Sequence, residues 1–212
     1  VDYVNGSFYY QLVEGIYDGN GNEILLNSRI IEIYSYGKIL YMAEDSGVIH
    51  RYDIAGKQAL GDLTVPDQVN KMLYSEKDHI LFAACEKNGI YCIELGNGEP
   101  NITMAGDLDN KSQLVDLMID YEDNLWVASH YIGASGVSII TQNALSELLY
   151  DDAVWQALSA PPAFDRNVYA VERYGDILYI VSAARIYRYD LINNEIMPDN
   201  IIMQAIDEYA GK

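Results

Sequence analysis

Apolar and polar residues change places along this chain in short runs, and the runs fall into a repeating phrase. Four copies align: IIEIYSYGKILYMAEDSGVIHRYDI from Ile30, VNKMLYSEKDHILFAACEKNGIYCIEL from Val69, LVDLMIDYEDNLWVASHYIGASGVSII from Leu114 and VYAVERYGDILYIVSAARIYRYDL from Val168. Each opens with an apolar run of strand length, passes through a polar turn, and resumes with Leu plus an aromatic residue. Those pairs are Leu40-Tyr41, Leu81-Phe82, Leu125-Trp126 and Leu178-Tyr179. Small residues follow (Ala43, Ala83, Ala128, Ser182), then a second turn and a third strand. The first and last copies share words as well, IHRYDI at Ile49 and IYRYDL at Ile186.

The anchoring leucines recur at about 41, 44 and 53 residues, a spacing that, with three or four short strands per unit, predicts an all-β propeller. One small twisted sheet cannot cover both of its faces, so each blade must pack against its neighbours. Five four-stranded blades of ~42 residues account for the chain. The expected boundaries are 28–67, 68–111, 112–166 and 167–199, with a fifth blade shared between 1–27 and 200–212. In that shared blade the tail IIMQAIDEYAGK supplies the first strand. The head supplies the other three: a short strand before Asn5-Gly6, Phe8 to Leu12, and one near Glu23 to Leu26. The rival reading is a slice of a larger propeller. The chain opens on Val1 rather than Met, and we expect it to be part of a longer protein.

The third copy carries the main interruption, TQNALSELLYDDAVWQALSAPPAFDR after Ile140. NALSELL has helical spacing with a cap at Thr141 or Asn143. AVWQAL is expected to be that blade's outer strand, and SAPPAF a stiff loop around Pro161-Pro162.

Composition narrows the partners. With 13 Lys plus Arg against 32 Asp plus Glu, the formal charge is −19. That field repels a phosphate backbone and an anionic membrane surface, so neither nucleic acid nor direct membrane insertion is expected. No run approaches the ~18 apolar residues of a membrane span. The 19 tyrosines suit half-buried strands. Cys85 and Cys92 flank the hairpin CEKNGIYC; with Lys87 and Asn88 at its tip, Cys85 faces Ile90 and Cys92 faces Ala83. The sulfurs are then diagonal neighbours, roughly 7 Å apart at Cβ, and two buried free thiols are expected.

Catalytic motifs are missing. His50, His79 and His130 sit in different copies with no histidine or cysteine partner at i+2 to i+4, so no metal or cofactor is expected. DGNGNE at Asp18 to Glu23 resembles a calcium loop superficially. Its sixth and twelfth positions are Glu23 and Arg29 instead of Gly and Glu, so it reads as a hairpin turn. Loops between second and third strands share one end of a blade with the crossings to the next. That end gathers Glu44, Asp45, Glu86, Lys87, His130, Tyr131 and Arg185, with Pro161 to Arg166 nearby. Glu44, Asp45, Lys87, His130, Tyr131 and Arg185 are the expected ligand-binding residues.

The phrase DYEDNLWVAS, Asp120 to Ser129, resembles the two-component-regulator propeller repeat, whose core is D-x-x-G-N-L-W-hydrophobic-G/A-T/S followed by a Gly-rich turn and a strand. Asn124-Leu125-Trp126-Val127-Ala128-Ser129 match it, Gly133, Gly136 and Val137 supply the turn and strand, and Asp123 replaces the glycine. The other copies follow it in rhythm, with Tyr or Phe in place of Trp. The resemblance implies the extracytoplasmic input domain of a bacterial membrane sensor, coupled to a kinase or diguanylate-cyclase output. Such a domain is non-catalytic and takes a small polar ligand or a protein partner. A WD-repeat-like interaction scaffold and a carbohydrate-active propeller enzyme are the alternatives.

Overall fold

A computed structural model describes residues 2–4, 7–12, 14–25, 27, 29–87, 89–96, 99–104, 113–130, 136–142, 145 and 167–197. The chain divides into two compact units, Val1–Met104 and Ala105–Lys212.

The first unit holds three antiparallel meanders, each with its strands side by side in chain order. They are β1 (Asp2–Val4), β2 (Ser7–Leu12), β3 (Gly15–Asp18), β4 (Glu23–Leu25); β5 (Ile30–Tyr36), β6 (Ile39–Glu44), β7 (Val48–Asp53), β8 (Gln58–Thr64); and β9 (Val69–Ser75), β10 (Ile80–Cys85), β11 (Ile90–Glu94), β12 (Asn101–Met104). The second unit holds β13 (Gln113–Ile119), β14 (Leu125–His130), β15 (Val137–Ile140) and then β16 (Val168–Tyr174), β17 (Ile177–Ser182), β18 (Ile186–Asp190), β19 (Glu195–Met197).

The Leu-aromatic pairs explain how the sheets pack. Neighbouring residues of a strand point to opposite faces, so one pair serves two interfaces. Leu40 joins Tyr9 and Ile16 of the preceding sheet, while Tyr41 joins Met72, Leu81 and Ile93 of the following one. In the second unit Trp126 faces the following sheet and Leu178 the preceding one, in one cluster. All of these side chains are at most 5% exposed. Each buried side chain of this size contributes roughly 1.5–3 kcal/mol.

Each copy begins with the same irregularity. The register of the first strand slips at Ile31, Asn70, Val115 and Tyr169, always the second residue of the aligned phrase. A β-bulge of this kind bends the strand and re-aims one side chain.

Three expectations need correction or restriction. The head supplies four strands rather than three, because Gly15–Asp18 pairs with β2 (Leu12 opposite Gly15); the contribution expected from residues 200–212 lies outside the described residues. The CEKNGIYC hairpin is one residue longer than expected: the Cys85 amide donates to Gly89 O at 2.9 Å, and Cys92 stands opposite Phe82 instead of Ala83. Gly89, at φ +78°, accounts for the longer turn. With the register moved by one, Cys85 lies on the face of Leu81 and Ala83 and Cys92 on the other face, so the thiols do not face each other. Both are free and buried. In the third copy Leu145 N donates to Thr141 O at 2.8 Å, one helical turn where NALSELL was expected to coil; Asn143, AVWQAL and Pro161-Pro162 lie outside the described residues.

DGNGNE is a turn, joining β3 to β4. The Asp18 carboxylate accepts from the amides of Asn20 (2.9 Å) and Asn22 (2.8 Å) and from Asn22 Nδ2 (2.8 Å). These donors hold its pKa below the usual carboxylate range.

Candidate functional site

In the first unit the hairpin tips that follow β6 and β10 are stitched by the crossing between the second and third sheets. Val65 N donates to Gly47 O at 3.0 Å, and Asp67 accepts the Lys87 amide at 2.6 Å. This brings Glu44, Asp45 and Lys87 to one end of the unit, as their positions in the repeat implied. Gly47 permits the approach: its φ is +86°, and a Cβ there would lie 2.6 Å from Asp67 O and closer still to Val65 O.

Glu44 is enclosed by donors. Ser46 Oγ donates at 2.7 Å, His50 Nε2 lies at 2.9 Å and Arg29 Nη2 at 3.0 Å, and Asn27 Nδ2 donates as well. The Ser46 and His50 hydrogen bonds chiefly hold its pKa down at about 2. With four donors in place the carboxylate is already satisfied, so a ligand arriving here meets Arg29 and Asp45 first. Those two pair at 2.9 Å, both about half exposed. Lys87 is exposed at the tip of its own turn.

The second unit gathers His130 and Arg185 at the corresponding end of its two sheets. His130 bridges to Asn167, whose carbonyl accepts the Ala183 amide at 3.1 Å. Ser182 Oγ then closes the Ala183–Arg185 turn by donating to Arg185 O at 2.8 Å and accepting its amide at 3.0 Å. The Arg185 guanidinium sits 5.6 Å from the centre of the Tyr187 ring, within cation–π range. Tyr131 lies outside the described residues.

Two features here escaped the sequence. Tyr169, at the bulge of β16, is 50% exposed, and its ring meets His130 edge-on at 4.6 Å. His130 Nε2 is buried and, among the described residues, has no hydrogen-bond partner. A buried ring nitrogen without a partner is costly, and it stands beside a half-exposed aromatic ring at the loop end. The bulge position was the available signal: it holds Ile31, Asn70 and Val115 in the other copies and an aromatic residue only in this one. Among the described residues, no group of three or more His, Cys, Asp or Glu side chains is placed to hold a metal ion, and no helix is long and apolar enough to cross a membrane.

Meander sheets of this kind are found in solved propellers. The chain is similar to the computationally designed Ika8 protein (TM-score 0.65, 13% identity, covering 92% of this chain and 58% of that one). It is similar to the extracellular domain of a one-component system from B. thetaiotaomicron (TM-score 0.66, 15% identity, 91% of this chain and 26% of that one). A third likeness is to the β-propeller domain of Cps50 (Swd1) from Myceliophteria thermophila (TM-score 0.61, 13% identity, 87% and 62%). The chain spans less than two thirds of the length of each of these three. No family model and no curated protein matches the sequence. The fold is an all-β propeller.

Proposed function

We propose that this propeller is a non-catalytic recognition module, the extracytoplasmic input part of a bacterial membrane sensor, which binds a small polar ligand at the end of its blades that carries the second-to-third strand turns. The observation that carries the reading is the pairing of His130 and Tyr169: a buried ring nitrogen that has no hydrogen-bond partner among the described residues, beside a half-exposed aromatic face. Such a site offers a stacking surface and one directed polar contact, the elements of small-ligand recognition. The repeat phrase at Asp120 to Ser129 and the likeness to a bacterial extracellular sensor domain support the sensory assignment.

Thermal-shift screening against sugars, amino acids and small carboxylates tests it. A ligand that raises Tm for the wild type, and loses its effect in both His130→Ala and Tyr169→Ala, supports the site. No hit, or a hit indifferent to both substitutions, overturns it. The sensory half is tested by the parent gene: a membrane-spanning segment with a kinase or cyclase output supports it. A parent without either favours an interaction scaffold.

A further inference from the structure

The second sheet of the first unit contains a charge device centred on His50, next to the Glu44–Gly47 turn. His50 lies in the middle of β7, opposite Met42 of β6. On the other side, Ile49 pairs with Leu63 and Arg51 with Leu60, so Gly61 and Asp62 together stand opposite His50 alone. This bulge turns Asp62 onto the ring. His50 Nδ1 lies 3.1 Å from Asp62 Oδ1, and Nε2 lies 2.9 Å from Glu44 Oε1. Arg51 Nε donates to the Gly61 carbonyl at the same place, which fastens the bulge.

An ionised carboxylate only accepts hydrogen bonds, and a neutral imidazole has a single N–H to give. The doubly protonated ring satisfies both oxygens at once; the neutral ring leaves a lone pair facing a carboxylate. The consequence reaches the turn through Glu44, whose other oxygen holds Ser46 and Arg29, while Arg29 also holds Asp45. Backbone bonds from Asp45 N to Arg29 O (3.0 Å) and Gly47 N to Glu44 O (3.1 Å) complete the turn. The side chain of His50 is 19% exposed, so its proton can exchange with solvent.

We propose that His50 is a proton-operated clasp: charged, it ties β6 to β8 through Glu44 and Asp62 and fixes the Glu44–Gly47 turn, and neutral, it releases one carboxylate and loosens that turn. The charged groups around the ring are Glu44 on β6, Asp62 on β8, and Arg29 and Asp45 beside the turn. Tyr52, two residues along β7, and Tyr9 of the first sheet are the phenols in the core on that face; both have their pKa raised, chiefly by burial, and stay neutral where histidine titrates.

Long-range ¹H–¹⁵N correlation of the imidazole, together with amide exchange at Asp45 and Gly47, tests the clasp. Both ring nitrogens carry protons on the acid side of the titration. As the ring loses its proton, exchange at the two amides, corrected for base catalysis and referenced to Leu81, speeds up about tenfold. His50→Gln and Asp62→Asn each abolish that step, and either suffices if the other fails to fold. A ring with one proton at every pH between 5 and 8, or an unchanged corrected exchange ratio across its titration, overturns the proposal. Neither outcome depends on a ligand, so the failure of this idea and the failure of the binding site are separable.

Discussion

Removing the carboxylate of Asp120 probes the repeat unit most directly. Its Oδ2 accepts Trp126 Nε1 at 2.9 Å and Asn124 Nδ2 at 3.0 Å, and its Oδ1 accepts the amides of Glu122 (2.9 Å) and Asn124 (3.0 Å). One acid therefore closes the β13–β14 turn and fixes the indole that packs edge-on against Tyr189 at 5.2 Å. Asp120→Ala orphans the N–H of a tryptophan that is 2% exposed. Leaving a buried donor unpaired costs about 1–3 kcal/mol, and charged acceptors raise the loss for the turn amides. We expect about 3 kcal/mol in all, a large part of a typical domain stability of 5–15 kcal/mol. Urea unfolding followed by tryptophan fluorescence measures the loss. A double-mutant cycle with Trp126→Phe isolates the indole contact, with an expected coupling of about 1–2 kcal/mol. A loss under about 1 kcal/mol, or a coupling near zero, would refute the view that Asp120 organises the repeat.

Glu44, whose pKa is depressed to about 2 from 4.5, stabilises the fold above its unfolded pKa, and the contribution disappears as pH falls through about 2. Its side chain is 12% exposed, and allowing for solvent screening the effect is on the order of 2 kcal/mol; Glu44→Gln should flatten the urea-midpoint profile between pH 5 and 2. Gly47→Ala, which drives a Cβ against two carbonyl oxygens at φ +86°, should cost about 3 kcal/mol or more. Gly37→Ala, at φ +61° with open space, should cost only about 1 kcal/mol when the two variants are compared by urea unfolding. Burial pushes both thiols up to about 12, so Cys85 and Cys92 should ignore a thiol reagent at pH 8 until guanidinium unfolds the chain; rapid native labelling would contradict their burial.

Much of the architecture was legible because its signals are local. The Leu-aromatic pair marks each second strand, and the turn before it holds one left-handed residue: Gly37, His79, Asp123 or Gly175. That position explains the one departure from the regulator repeat. The consensus glycine meets a positive φ, and Asp123 adopts +64°, a conformation that aspartate tolerates better than most residues. The third strand of the head was not legible, since Val13-Glu14 between Leu12 and Gly15 carries no turn residue and the run QLVEGIYD reads as continuous. The cysteine hairpin failed for a related reason: a two-residue and a three-residue turn both suit EKNG, and they differ by one step of register. The repeat rhythm placed Glu44, Asp45 and Lys87 at one end of the first unit, but the contacts of Tyr169 with His130 and of Asp62 with His50 were hidden, because each depends on a bulge that places a side chain where simple alternation would not.

Several of the acids serve the architecture directly. Asp18, Asp53 and Asp190 each end a strand and Asp120 directly follows one, and all four accept amides of the turn that follows. Asp116 accepts Val171 N from the next sheet at 2.9 Å, and Asp67 anchors the Lys87 turn. A retaining or inverting glycosidase needs one carboxyl with its pKa raised to act as an acid beside one that stays ionised. Among the described residues, the carboxylates whose titration the structure displaces are Asp18, Glu44 and Asp190; all three move down, and hydrogen-bond donors are the main cause in each case. Donors that stabilise an anion make it a poor base and leave it no proton to give. These three acids fix turns, and in doing so each becomes a poor general acid or base. An Asp or Glu found by NMR to titrate above pH 6, within reach of an ionised partner, is the observation that would restore the enzymatic reading.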